Sequence, residues 1–207
     1  MLVLLLITNL RKSLNKNRFL LNSFKIELMK KYFILFLSIF FLSSCKSNNF
    51  YGTITAIPDG DTVKVKTKKL GIVRVRLLGI DCPEIKQEPW GKIAKEFLEE
   101  ELNNSNKIKL ETDLVKRDKY GRLLAYIYTE KDKNHYEKTS LNEKLLKEGL
   151  AELFIIGDND KYAVRFKEAE AKAKQAKINI WDEENGTKYS PYEFRKRSKR
   201  KKRMKNE

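Results

Sequence analysis

Three short runs between residues 51 and 80 alternate apolar with polar side chains, and this period of two constrains the fold most. Tyr51–Ile57 is rich in β-branched and aromatic residues. Thr62–Thr67 sets Val63 and Val65 against Lys64 and Lys66, and Ile72–Ile80 sets Val73, Val75 and Leu77 against Arg74, Arg76 and Leu78. Successive side chains of a strand point to opposite faces, so each run reads as a strand with one buried face. Pro58-Asp59-Gly60-Asp61 separates the first two with turn chemistry, and the three runs predict an antiparallel meander.

Beyond residue 88 the spacing turns helical. From Pro89 to Leu102, Ile93, Ala94, Phe97, Leu98 and Leu102 form one apolar stripe. Lys107–Glu111 and Leu123–Tyr128 read as two more strands, joined through Asp118-Lys119-Tyr120-Gly121. Ser140-Leu-Asn-Glu143 has the form of a capping box and starts a helix carrying Leu141, Leu145 and Leu146, ended by Gly149. Leu150–Ile156 is apolar and extended, and Lys161–Ala176 is an Ala/Lys/Glu helix with Ala163, Phe166, Ala169, Ala173 and Ala176 inward. These elements predict one mixed α+β domain over residues 50–182, long enough for a single core. The order of three strands, helix and two strands fits a five-stranded Greek-key barrel, although periodicity does not choose it over other mixed folds.

The net charge of +16 over 207 residues is unevenly spread. Residues 1–45 carry +6, residues 195–207 carry +8, and the long middle carries only +2. A uniformly basic nucleic-acid-binding domain is therefore excluded. A hydrophobic content of 41% excludes a wholly disordered chain, and 35% charged residues exclude a multi-span membrane protein. Two cysteines and one histidine, His135, exclude a disulfide scaffold, a four-cysteine zinc site and a multi-histidine centre.

Both ends are expected to lie outside the domain. Residues 32–42 are a largely apolar run, preceded by Lys30 and Lys31 and followed by Ser43, Ser44 and Cys45, the layout of a secretory signal over residues 29–45. Leu42-Ser43-Ser44-Cys45 resembles a bacterial lipobox, which implies cleavage before Cys45 and lipid attachment to its sulfur. Such a signal starts at Met29, so residues 1–28 are expected to precede the true start. The competing reading, a real extension followed by a buried helix or signal anchor, leaves the coincidence of head, core and lipobox unexplained. Residues 46–49 form a polar tether. Cys82 then remains as the one thiol, read as a small, partly buried side chain in a turn rather than a nucleophile. Residues 183–207 become polar and then basic, with nine Lys or Arg in the eleven positions Arg195–Lys205. A self-repelling run is expected to be disordered, and it would attract nucleic-acid phosphates or anionic lipid.

Three clusters carry chemistry: Asp59-Gly60-Asp61-Thr62, Arg76 to Glu84, and Asp118-Lys119-Tyr120-Gly121-Arg122. Aspartates on turns, a backbone carbonyl and water make an oxygen shell for a hard cation. A nearby glutamate can take a proton from water, and two arginines can grip a phosphate and stabilise its transition state. Each cluster alone is more often a hairpin turn, a loop or an exposed ion pair. Together they form a minimal kit for phosphodiester hydrolysis.

The segments Ala56-Ile-Pro-Asp-Gly-Asp-Thr-Val63, Val75-Arg-Leu-Leu-Gly-Ile-Asp-Cys-Pro-Glu84, Asp118-Lys-Tyr-Gly-Arg-Leu-Leu-Ala-Tyr-Ile-Tyr128, Gly149-Leu-Ala151 and Ile178-Asn-Ile-Trp181 stand in an order that resembles the staphylococcal nuclease, or thermonuclease, family. The resemblance implies an OB-fold barrel with three helices and a Ca²⁺-dependent nuclease acting on DNA and RNA to leave 3′-phosphates. It implies that Asp61 and Asp81 ligate calcium through side chains and Cys82 through its carbonyl, that Glu84 is the general base, and that Arg76 and Arg122 hold the scissile phosphate, with a supporting hydrogen bond from Tyr120. Two departures stand out. The tyrosines of the family's nucleotide pocket fall at Ile155 and Gly157, and the loop Ile85–Gly91 after Glu84 is short. The resulting expectation is a monomeric, extracytoplasmic nuclease, lipid-anchored through Cys45 or secreted where the lipobox is not used. The alternatives are a non-catalytic nucleic-acid-binding OB-fold lipoprotein and, last, a structural or adhesive surface lipoprotein.

Overall fold

A computed structural model gives the fold, described for residues 28–32, 49–103, 105–133 and 135–205. The chain divides into two units, Met1–Ser47 and Asn48–Glu207. In the first, residues 28–32 are helical and exposed. Cys45 and the lipobox lie outside the described residues.

The second unit contains β1 (Asn49–Ala56), β2 (Thr62–Thr67), β3 (Gly71–Leu77), β4 (Gly79–Asp81), α1 (Trp90–Glu101), β5 (Lys107–Glu111), β6 (Leu123–Asp132), β7 (His135–Tyr136), α2 (Leu141–Lys147), β8 (Glu152–Phe154), α3 (Ala163–Gln175) and α4 (Pro191–Met204), with a short 3₁₀ turn at Asn179–Trp181. The meander forms as the alternation predicts, with Val63 opposite Val75 and Val65 opposite Val73. The sheet runs β3-β2-β1-β5-β6-β7, and β3 also pairs with β6. That last pairing is parallel, with Val75 against Leu123 and Arg76 against Leu124. It closes β1, β2, β3, β6 and β5 into a ring without free edges, a curled mixed α+β architecture of the OB kind. Val63, Val65, Val75, Ile108, Leu110 and Ile127 fill it, all fully buried.

The third alternating run does not continue to Ile80 as one strand. It breaks after Leu77, and β4 turns away to pair with β8, Gly79 against Phe154 and Asp81 against Glu152. Gly79 makes the break: its φ is +77°, and a Cβ there would meet the Phe166 ring at 2.6 Å. Fully buried Asn142 at the start of α2 stitches the break to the barrel, donating to the Leu78 carbonyl (2.7 Å) and accepting from the Ile127 N–H (3.0 Å).

The helices bury the predicted stripes with local differences. Ala94, Leu98 and Leu102 are buried along α1. Ser140 caps α2 by accepting from the Glu143 N–H (3.2 Å), but the Glu143 carboxylate pairs with Lys147 (2.8 Å) and Arg165. In α3, Phe166, Ala169 and Ala173 are buried, whereas Ala176 is the exposed C-cap because the helix ends one residue earlier.

Residues 183–207 differ most from expectation. The basic run is not disordered but forms α4, which follows the three α-helices of the barrel domain among the described residues. Ser190 and Glu193 form a reciprocal capping box, each bond 3.2 Å, and Pro191 opens the first turn. The Arg197 guanidinium stacks 3.9 Å from the Tyr189 ring centroid. Cap and stacking offset the repulsion that the bare composition implies.

Candidate active site

The break after β3 brings the first two clusters together. Asp61 begins β2 from a tight turn in which its own N–H donates to the Asp59 carboxylate (3.1 Å). Gly60 allows this turn to lie flat against α1 and the β4 end, since a Cβ there would meet Ala94 at 2.7 Å and Cys82 at 3.0 Å. Asp81 ends β4 beside it, with its side chain only 5% exposed.

Arg76 holds the two aspartates on one point. Its Nη2 lies 3.1 Å from Asp61 Oδ2 and 2.9 Å from Asp81 Oδ1. Its Nη1 donates to the carbonyls of Leu77 and Ile80, both at 2.8 Å, so the guanidinium is fixed on both sides and 5% exposed. Burial pushes the Asp81 carboxyl above its usual range, against the pull of Arg195 and Arg76. Asp59 is pushed up to about 6, by burial first and by Asp61 second. Glu152, the strand partner of Asp81, is pushed up to about 7 by burial and by the charges of Asp81 and Glu170.

Cys82 is buried, and its thiol donates to the Gly60 carbonyl at 3.2 Å. Burial raises that thiol well above its usual pKa, so it stays protonated and unreactive. Its backbone N–H reaches Asp61 Oδ2 at 3.4 Å, which ties the Asp81–Cys82 peptide to the Asp61 carboxylate. The paired carboxylates of Asp61 and Asp81 are hard oxygen donors, the chemistry that suits a cation such as calcium. Among the described residues no three His, Cys, Asp or Glu side chains are grouped to hold a metal by themselves.

Glu84 lies three residues past Asp81, with its side chain 42% exposed. Its N–H donates to Gln87 Oε1 at 3.0 Å, which fixes the short loop. The third cluster forms a separate turn leading into β6. Asp118 accepts from the Arg122 N–H (3.0 Å), Arg122 Nε (2.7 Å) and the Tyr120 N–H (2.9 Å). Burial of Asp118 works against its charge, but the Arg122 bonds win and hold its carboxyl below the usual range. Arg122 Nη1 reaches Thr62 Oγ1 at 3.4 Å, and Thr62 Oγ1 donates to Asp61 at 2.9 Å, which links this turn to the aspartates. Tyr120 is 72% exposed and contributes its backbone N–H and its ring, 5.6 Å from the Arg122 guanidinium.

The sequence-predicted residues Asp61, Arg76, Asp81, Cys82 and Glu84 thus meet at one place, with Arg122 joined to them through Thr62. At the missing pocket tyrosines, Ile155 is 37% exposed and Gly157 turns at φ +59°. Sequence reasoning missed Arg195. From the second turn of α4 it donates to Asp81 Oδ2 (2.7 Å), Asp81 Oδ1 (3.2 Å) and Glu84 Oε1 (2.9 Å). Burial works against its charge, but the bonds to Asp81 and Glu84 outweigh it and raise its pKa. The signal that could have found it is Ser190-Pro191-Tyr192-Glu193, a capping box with proline at the first helical position.

Comparison with known proteins gives this constellation a context. Residues 74–183 match the family model described as "Staphylococcal nuclease homologue". The SPbeta prophage-derived endonuclease YokF of Bacillus subtilis (strain 168) is 43% identical over 136 residues, 62% of this chain and 43% of that protein. The chain therefore spans less than half the length of that relative. The thermonuclease of Staphylococcus intermedius is 36% identical over 134 residues, 62% of this chain and 74% of that protein. The thermonuclease of Staphylococcus hyicus is 37% identical over 133 residues, 62% of this chain and 73% of that protein. Match, barrel and clustered side chains agree: the chain belongs to the staphylococcal nuclease family.

Proposed function

We propose that this protein is a calcium-dependent nuclease that hydrolyses phosphodiester bonds of DNA, RNA or both to 3′-phosphate products. The observation that carries the reading is the single guanidinium of Arg76 within 3.1 Å of Asp61 and 2.9 Å of Asp81, with Glu84 three residues on. Relatives named endonuclease and thermonuclease support it. Asp61, Asp81 and the Cys82 carbonyl would hold the calcium, whose charge polarises a phosphoryl oxygen when bound. Glu84, partly exposed, accepts the proton of the attacking water. Arg122, oriented by Asp118, donates to the non-bridging phosphate oxygens, and Arg76 stiffens the carboxylates while offering charge from behind them. The exposed Lys and Arg of α4 give the polyanion a salt-sensitive landing surface and can serve anionic lipid in the same way.

The protein acts, on this reading, as an exported monomer, lipid-anchored through Cys45. Radiolabelled fatty acid should enter the wild-type protein and be absent from Cys45→Ala; equal labelling removes the anchor. For the chemistry, DNA and RNA are incubated with the full chain over a calcium titration. Cleavage should stop with chelator and fall by about 10²–10⁴-fold in Glu84→Gln. Tight DNA binding without cleavage at any calcium level favours a binding-only protein instead.

A further inference from the structure

The guanidinium of Arg195 occupies the carboxylates that the proposed chemistry needs free. Asp81 receives it as a fork, Nη2 to Oδ2 at 2.7 Å and Nη1 to Oδ1 at 3.2 Å, while Nη1 also serves Glu84 at 2.9 Å. Asp81 Oδ1 also accepts from Arg76 at 2.9 Å. With two donors on that oxygen and Arg195 on the other, little lone-pair density remains in the carboxylate plane for a metal ion. A cation bound at Asp81 would also share the carboxylate with a second positive charge.

The contact is built rather than incidental. Trp90 Nε1 donates to the Asn185 carbonyl and Gln87 Nε2 to the Tyr189 carbonyl, both at 3.0 Å, so the approach to α4 is tied to the loop that follows Glu84. Buried Gln87 also accepts from the Glu84 N–H, so one side chain joins the base to the docked segment. The capping box sets where the helix starts, and Arg195 follows in its second turn.

We infer that α4 is an intramolecular latch. Arg195 takes the place of the divalent cation on Asp81 and Glu84, and cation binding requires the guanidinium to withdraw. The inference rests on the calcium site proposed above and adds regulation to it. Chelator-stripped wild-type protein, Arg195→Ala and Arg195→Lys are titrated with calcium chloride by calorimetry. Coupling between linked sites predicts about 5- to 150-fold tighter calcium binding by Arg195→Ala, with Arg195→Lys between it and wild type because the charge remains and the fork is lost. In parallel, wild-type protein is digested briefly with trypsin. Calcium should speed cleavage after the basic residues of α4, and Arg195→Ala should be cut quickly with or without calcium. Equal or weaker calcium binding by Arg195→Ala, or α4 cleavage indifferent to calcium, overturns the latch and leaves the nuclease reading intact. No calcium binding by any of the three proteins overturns the calcium site itself, and the latch with it.

Discussion

Arg76 sits at the end of β3, 5% exposed, with its guanidinium engaged by two backbone carbonyls and two carboxylates. Arg122 stands on a turn before β6, side chain 23% exposed, oriented mainly by Asp118. Family resemblance gives the two one task, yet their surroundings divide it. The first is part of the fold, and its removal strands buried carboxylates. The second is held by a local turn and is partly exposed. A site can therefore contain a residue that stabilises the protein and one that serves the reaction without the sequence marking which is which.

The comparison can be broken most sharply at Arg76. Arg76→Ala should destabilise the fold by about 3–5 kcal/mol, because one partner of a buried charge cluster is removed. Urea denaturation reads this directly; a loss below about 1 kcal/mol, the range of an exposed pair, would erase the distinction. Arg122→Ala should cost clearly less stability than Arg76→Ala, because Asp118 keeps the backbone N–H donors of positions 120 and 122. Its cleavage rate should nevertheless fall by about 10²–10³-fold, the cost of losing one preorganised donor. A large melting-temperature drop in that variant would make both arginines structural.

The smallest effect probes the carboxylates around Arg76. Glu152 is pushed from 4.5 when unfolded to about 7 in the fold, by burial first and Asp81 next. The folded chain therefore binds this proton more tightly. The stability it contributes is full below pH 4.5 and is lost as pH rises through about 7. Glu152→Gln should flatten the melting-temperature profile between those values; an unchanged slope would assign the dependence to another group.

Much of the barrel is legible because period-two alternation and burial agree: Val63, Val65, Val75 and Leu77 are all fully buried. The same logic misreads Arg76. Alternation puts it on the face away from the core, but the break at Gly79 folds β4 back over that face and buries it. The Asp61 and Asp81 carboxylates are legible as motifs, although their convergence on one guanidinium depends on contacts between segments that no local pattern encodes. Arg195 was hidden for a different reason. Composition argues from average repulsion, whereas Ser190, Pro191 and Glu193 act at one helix end, and a local cap outweighs a diffuse charge term.

The parallel seam between β3 and β6 has a consequence for synthesis. Val75 faces Leu123 and Arg76 faces Leu124 across it, so the seam brings Arg76 near the turn that carries Arg122, far along the chain. A growing polypeptide that has emerged only as far as β5 carries Asp61, Arg76, Asp81 and Glu84 but has neither the seam nor Arg122. Until β6 is made and docked, β3 keeps an open edge and Arg122 has no place beside the Asp61–Asp81 pair.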